Sequence, residues 1–217
     1  MTDNNTTTQK VVKLNSSLDA PTVSNAFELT DNQKIAKIST HFKAIMETLG
    51  LDLTDDSLKE TPNRVAKMYV SEIFSGLNPK NKPSITLFEN NYGYNQMLVE
   101  KNISVYSMCE HHFVPIIGKA HVAYIANGKV IGLSKIHRLV KYYSQRPQVQ
   151  ERLTKQIMEN LKETLGIEDA AVVIDARHMC VECRGVEDVT SNTITSAISG
   201  QFQKETTRSE FMRFIGL

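Results

Sequence analysis

Two short segments rich in cysteine and histidine are the feature that most constrains this chain. The first is Cys109-Glu110-His111-His112, and the second is Arg177-His178-Met179-Cys180. Thiolates and imidazoles are preferred zinc ligands, and a set of three protein ligands leaves one zinc position open for water. A shared ion would require the two segments to meet in the fold. The alternative, buried thiols and core histidines, fits poorly with two such clusters in a chain of three cysteines.

The spacing within these segments selects candidate ligands. Cys109 and His112 are three residues apart, so a helical turn or a tight loop can aim both at one point. On a strand, His178 and Cys180 would share a face because side chains alternate. We take Cys109, His112 and Cys180 as the zinc ligands, since adjacent residues rarely both bind one ion, but the spacing also allows His111 to replace His112. His111 and His178 then remain for proton transfer, which suits their ordinary pKa near neutrality.

Cys183 forms a second motif with Cys180, a pair of cysteines separated by two residues. Such a pair can be a zinc knuckle or a redox pair. A redox pair usually begins a helix, which lowers the pKa of the attacking thiol. Because this segment is predicted to continue a strand, on which positions three apart face opposite sides, we expect Cys183 to be a free thiol.

The composition limits the partners and the compartment. The formal net charge of the 217 residues is +1, so no global field attracts nucleic acid or an acidic membrane. No apolar run is long enough to span a bilayer, and the first ten residues lack the pattern of a secretory signal. Three cysteines without a framework of spacings indicate a reducing cytoplasm. We therefore expect a cytoplasmic protein with neither a nucleic-acid nor a membrane partner.

The residue pattern predicts an α+β fold in three parts: a flexible tail over residues 1–29, a helical region over 30–96 and a catalytic domain over 97–217. In the last part, strands and helices are segregated, which favours a four-stranded antiparallel sheet with two helices on one face. A lone sheet of this size would leave two edges unpaired, so we expect an oligomer.

Three local predictions concern this sheet. Met97, Val99, Ile103 and Val105 alternate along a strand and should face the same side. Asn127-Gly128 predicts a tight turn that joins strands over residues 119–126 and 129–132. Residues 170–180 are rich in β-forming residues, which places Cys180 on a strand.

A group of cationic residues accompanies the metal motifs. Ser134 is a candidate N-cap, and the free N–H groups behind it would form an anion site. Lys135 and Arg138 are three residues apart and share a helix face. Arg184 and Arg64 add further donors. Each alone is compatible with a solvated surface, but together they suit a triphosphate, for which arginine offers forked contacts.

Gln150 and Glu151 open a long predicted helix just after Pro147. A carboxylate at this position is stabilised by the helix dipole. It can also accept two hydrogen bonds from adjacent N–H groups, such as those on the Watson–Crick edge of guanine. An ordinary glutamate at a helix start is the alternative.

Four runs of this sequence resemble one family closely, namely CEHHFVPIIGKAHVAYI, VIGLSKIHRLVKYYSQRPQVQERLTKQI, RHMCVECRGV and, upstream, TPNRVAKMY. The family is type I GTP cyclohydrolase, and the resemblance covers roughly residues 31 to 217. It implies a tunnelling fold that forms an oligomeric barrel, a homodecamer of two pentamers with active sites shared between subunits. It also implies conversion of GTP into formate and 7,8-dihydroneopterin triphosphate, the first step of tetrahydrofolate or pterin biosynthesis.

The resemblance also implies a role for each candidate residue. Zinc would be bound by Cys109, His112 and Cys180, and His111 and His178 would be the acid/base pair. Glu151, with Gln150 beside it, would hold guanine. The implied triphosphate contacts are Ser134, Lys135, Arg138, Arg184 and Arg64.

Three other interpretations remain open. A nitrile reductase of the same fold uses a cysteine nucleophile and a nicotinamide cofactor and needs no zinc triad. A pterin-processing relative of the fold would bind zinc mainly through histidines. A catalytically silent relative could keep a closed structural zinc with Cys183 as the fourth ligand, although the presence of His111, His178 and Glu151 argues against it.

Overall fold

The computed structural model describes residues 19–217, so most of the predicted tail lies outside the described residues. The chain divides into two compact units between Glu72 and Ile73. The predicted boundary at residue 97, drawn where the residue pattern changes, stays a prediction. Within the described part, no helix is long and apolar enough to cross a membrane.

The first unit contains two helices. Helix α1 spans Asp31–Thr48 and begins with a capping box, in which Thr30 and Gln33 satisfy each other's backbone N–H groups. Helix α2 spans Thr61–Met68 with a proline in its first turn and is followed by a π-helical turn over Tyr69–Ile73. Both helix starts follow from the local sequence, because Gln33 stands three residues after Thr30 and Pro62 follows Thr61.

The second unit is built on a five-stranded sheet. Its strands are β2 (Met97–Cys109), β3 (Pro115–Ile125), β5 (Pro147–Gln148), β6 (Ala170–His178) and β7 (Thr193–Ile198), in the order β5-β2-β3-β6-β7. All neighbours are antiparallel except the two-residue β5, which runs parallel to β2. A separate small sheet pairs β1 (Leu87–Glu89) with β4 (Lys129–Ile131). The helices of this unit are α3 (Leu133–Ser144), α4 (Gln150–Leu165), α5 (Met179–Glu182) and α6 (Glu205–Ile215).

Both faces of the main sheet carry buried apolar residues. One face packs against α3 and α4 through a large core that includes Val122, Ile174, Leu139 and Ile157. The other face carries a smaller cluster in which Phe202 and Phe211 cover alanine and valine side chains of β3 and β6. The α+β class with two helices on one face is therefore confirmed, with β5 added at one edge of the four predicted strands.

A β-bulge overturns one prediction about β2. The pairing of β2 with β3 shifts by one residue between Glu100 and Ile103, and Asn102 has a φ of 61°. An extra residue in one strand moves all following side chains to the opposite face. Met97 and Val99 therefore pack on the α6 side, while Ile103 packs on the α3 and α4 side, so the predicted common face was wrong.

The strands on either side of Asn127-Gly128 form as predicted, although β4 pairs with β1 and is not part of the main sheet. One other local prediction was wrong. The strand predicted to reach Cys180 ends at His178, which is paired with Ile116. Continuing this register would place Met179 opposite Pro115, the first residue of β3, which has no N–H to donate. The chain instead turns into the short helix α5.

Candidate functional site

The turn between β2 and β3 presents the first cluster. Cys109 ends β2 and is 4% exposed, whereas His111 and His112 are exposed. The Cys109 N–H donates to the Val114 carbonyl over 2.8 Å, and the Phe113 N–H donates to the Cys109 carbonyl over 2.9 Å. This tight loop holds the thiol at the edge of the core and leaves both imidazoles beside it, exposed to solvent.

Cys109, His112 and Cys180 come together across the sheet. Their ligand atoms all lie within 4.8 Å of one another. Within residues 19–217 they are the one group of three or more His, Cys, Asp or Glu side chains that could share a metal ion. Sulfur atoms about 3.8 Å apart are expected around tetrahedral zinc, given a Zn–S bond of about 2.3 Å. The spacing and the donor types therefore fit zinc.

His111 and Cys183 lie outside this group of three. Nδ1 of His111 is 3.7 Å from Sγ of Cys109, and its ring centroid is 6.5 Å from that of His112. Cys183 is exposed and its thiol donates to the Met179 carbonyl over 2.9 Å. The structure thus places Cys183 away from the other two thiols.

The two thiols of the group affect each other. Burial raises the pKa of Cys180, the neighbouring Cys109 thiol raises it further, and Arg184 opposes the shift. Two adjacent thiolates are unfavourable without a cation, and a bound divalent ion would favour their ionised forms. Arg184 also donates from Nη1 to Nε2 of His112 over 3.3 Å, so this predicted phosphate contact adjoins the metal group.

His178 is held by the buried amide of Gln150. Gln150 is 1% exposed, and its Nε2 donates to the carbonyls of Ile174 and Thr193 over 3.0 and 2.8 Å and to Oγ1 of Thr195 over 3.1 Å. Its Oε1 lies 2.7 Å from Nε2 of His178. Because the amide nitrogen faces two carbonyls, the oxygen must face the imidazole, so Nε2 of His178 carries the proton.

The remaining ring nitrogen of His178, Nδ1, is therefore the one available for proton transfer. Burial lowers the pKa of His178, and the nearby Glu151 carboxylate opposes that shift. Glu151 itself is exposed in the first turn of α4. An imidazole whose pKa is lowered by burial and an exposed carboxylate thus lie at the same end of α4.

The predicted cations of α3 occupy a different place. Ser134 is not the N-cap, because the helix starts earlier, with Gly132 as its cap. Arg138 lines a cavity of about 210 Å³ with Lys141, Ser75 and Asn81, and the three candidate metal ligands do not line it. Arg64 is exposed on α2, in the first unit. The cavity beside Arg138 is therefore not formed by the metal ligands of the same chain.

Sequence reasoning missed an ion pair beside the site. Arg152 of α4 donates to the carboxylate of Glu110, between Cys109 and His111. No spacing rule connects these two residues, because the parallel pairing of Cys109 with Gln148 is what brings them together. The adjacency of Glu110 to the candidate ligands was the one signal available.

Comparison with known proteins identifies the family of this chain. The profile of the family described as GTP cyclohydrolase I matches residues 38–216. The chain belongs to the GTP cyclohydrolase I family. GTP cyclohydrolase 1 of Flavobacterium johnsoniae is 58% identical over 197 residues, which cover 91% of this chain and 88% of that protein. The protein of the same name from Aeromonas salmonicida is 56% identical, over 90% of this chain and 89% of its own.

Proposed function

We propose that this protein is a zinc-dependent GTP cyclohydrolase that opens the imidazole ring of guanine and yields formate and 7,8-dihydroneopterin triphosphate. Membership of the family supports the reaction. The observation that carries the assignment to this site is the convergence of Cys109, His112 and Cys180 within 4.8 Å. Zinc held there would supply a Lewis acid and acidify a water molecule.

The chain's own residues would orient the purine and move its protons. The Glu151 carboxylate would accept hydrogen bonds from the guanine edge. It is exposed to solvent and therefore accessible to a substrate. His178, fixed by Gln150, would donate a proton from Nδ1 of its protonated form to N7 and so make C8 more electrophilic, and would be left with its proton on Nε2. His111 would assist from the loop over residues 109–114 between β2 and β3, which we call the metal loop. That Gln150 also contacts guanine stays a prediction. Its side-chain amide nitrogen already donates to three protein acceptors.

The triphosphate would be held by the predicted cationic group of Ser134, Lys135, Arg138, Arg184 and Arg64. Apart from Arg184, which adjoins the metal group, these residues would act away from C8, so their role would be to position the substrate. The metal ligands of the same chain do not line the cavity beside Arg138. This supports an active site in which a neighbouring subunit supplies the α3 cations. The resemblance specifies a decamer of two pentamers, and the one-sided pairing of β7 is consistent with pairing between subunits.

Turnover of GTP by the purified protein tests this function. The assay follows the pterin by its absorbance and, after oxidation, by its fluorescence, with chelator and with added zinc. Product that disappears with chelator and returns with zinc is expected. No product from fully zinc-loaded protein would contradict the proposal and favour a silent zinc-binding relative. We further propose that the enzyme acts in the cytoplasm at the entry to tetrahydrofolate or pterin synthesis.

A further inference from the structure

Arg152 connects the start of α4 to the metal loop. Its Nε donates to Oε1 of Gln148 over 3.0 Å, and its Nη2 donates to the Pro147 carbonyl over 3.1 Å and to the Glu110 carboxylate. The side chain is only 14% exposed. A cation in the first turn of a helix is opposed by the helix dipole, so this position needs anionic or carbonyl partners.

Glu110, the residue that Arg152 contacts in the metal loop, is held through both its backbone and its side chain. Its backbone N–H donates to the Gln148 carbonyl over 3.0 Å, and its carboxylate, 26% exposed, meets the guanidinium. Glu110 follows Cys109 directly, and Cys109 itself pairs with Gln148. A partly buried ion pair with several supporting hydrogen bonds holds its geometry better than an exposed one.

Gln148 makes the connection rigid. It is fully buried, and its Nε2 donates to the Tyr143 carbonyl over 2.9 Å and to Oε1 of Gln156 over 2.7 Å. Its amide nitrogen is thereby occupied, so its oxygen faces Arg152. Lysine cannot replace arginine here, because an ammonium group lacks the planar fork that reaches both the amide oxygen and the carboxylate.

We propose that Arg152 is a positioning residue that sets the spacing between the metal loop and the substrate end of α4. The metal loop carries Cys109 and His112, and the first turn of α4 carries Glu151. Arg152 acts by holding Glu110 and Gln148 and need not touch substrate. This inference rests on the proposed function, because the spacing it sets is that between zinc and the guanine ring.

The variants Arg152→Met, Arg152→Lys and Glu110→Gln test this role. We expect kcat to fall about 10- to 100-fold in Arg152→Met, because small displacements of reacting groups reduce rates strongly, while KM for GTP changes less than about threefold. Arg152→Lys should recover little of the loss. The double variant Arg152→Met/Glu110→Gln should be no slower than Arg152→Met, because both changes break the same contact.

Lys162→Met is the matched control. Lys162 lies on the same helix, is similarly shielded at 16% exposure, and pairs with Glu159 and Glu168. Its loss should lower thermal stability without changing kcat. If kcat per zinc-loaded protein stays at the wild-type value in Arg152→Met, the residue is merely structural and the inference is overturned.

Cobalt substitution separates this inference from the proposed function. The visible spectrum of the cobalt-loaded protein reports ligand geometry and needs no turnover. We expect the spectrum to change in Arg152→Met and Glu110→Gln but not in Lys162→Met. If the wild type makes no pterin, the proposed function fails, while an unchanged spectrum in Arg152→Met overturns the positioning role.

Discussion

Single residues in this site hold one another in defined states of protonation. The Gln150 amide, anchored by two backbone carbonyls, directs its oxygen to Nε2 of His178 and leaves Nδ1 as the reactive nitrogen. The thiols of Cys109 and Cys180 are close enough that a cation between them would favour their ionisation. The chemistry therefore depends on neighbours as much as on the reactive groups themselves.

Replacing either candidate cysteine ligand with alanine should remove zinc and turnover together. Cys109→Ala and Cys180→Ala each leave two protein ligands, too few for a stable zinc site. Metal analysis of the purified protein and the pterin assay measure the two losses. Cys183→Ala is the control and should keep both, because its thiol is turned toward Met179. Wild-type zinc content in Cys109→Ala would refute the ligand assignment.

His178→Ala should separate binding from chemistry. The variant should keep zinc and GTP affinity, while kcat falls about 10²- to 10⁴-fold, the usual contribution of a positioned acid or base. Metal analysis, equilibrium binding of GTP and steady-state kinetics check the three quantities. His137→Ala is a suitable control. His137 is an exposed histidine on α3, and it pairs with Glu100 of β2. An unchanged kcat would remove His178 from the proton-transfer role.

Among the elements, the bulge in β2 has the widest effect. It turns Met97 and Val99 toward α6, and the adjacent Lys101 donates from Nζ to the Phe214 carbonyl over 3.1 Å. The Asn102 N–H donates to Nδ1 of the buried His121 on β3 over 3.4 Å. His121 thus accepts a hydrogen bond from a residue of the bulge. The same bulge lets β2 contribute apolar side chains to both faces of the sheet.

Acid should destabilise the fold through His121. Burial lowers the pKa of His121, Lys119 and Lys101 act in the same direction, and Asp175 opposes the shift. The unfolded chain therefore binds a proton at higher pH than the folded chain, so stability falls as the pH drops below about 6.5. Thermal unfolding of wild type and His121→Gln from pH 7.5 to 5.5 measures this contribution.

Glutamine keeps an acceptor for the Asn102 N–H but does not titrate in this range. The Tm of the wild type should therefore decrease more with acid than the Tm of His121→Gln. Other titrating groups, including His178 and the metal ligands, are common to both proteins and cancel in the comparison. Parallel Tm curves would show that His121 contributes nothing to the pH dependence.

For the whole molecule, the proposed function requires the metal group and the α3 cations to contact one substrate. The cavity lined by Arg138 does not contain the metal ligands of its own chain. The edge strand β7 pairs on one side only within the described residues. Both observations are consistent with an assembly in which neighbouring chains complete each site.

Mixed oligomers test the shared site. Cys180→Ala and Arg138→Ala should each be inactive alone, the first without zinc and the second with weakened triphosphate binding. Coexpression in equal amounts should restore activity to about a quarter of the wild-type value, because random assembly pairs intact halves in that proportion. Light scattering after size-exclusion chromatography confirms the assembly. No recovery in a verified mixed oligomer would place both halves of the site on one chain.

The sequence by itself determined the features that depend on neighbours along the chain. It specified the capping box of α1, the proline start of α2, the α+β class and the two clusters that supply Cys109, His112 and Cys180. Capping, periodicity and side-chain chemistry are local, so each can be derived from a few adjacent residues.

Only the tertiary structure decided features that depend on which segments pair. Cys180 lies on a helical turn because β6 ends at His178, beyond which its partner strand β3 has only Pro115 left. The faces of β2 depend on one extra residue at the bulge. Gln150 holds His178 and Arg152 holds Glu110 because α4 packs beside strands that are distant in sequence. Strand pairing and helix packing are settled by contacts across the whole fold, and no local pattern encodes them.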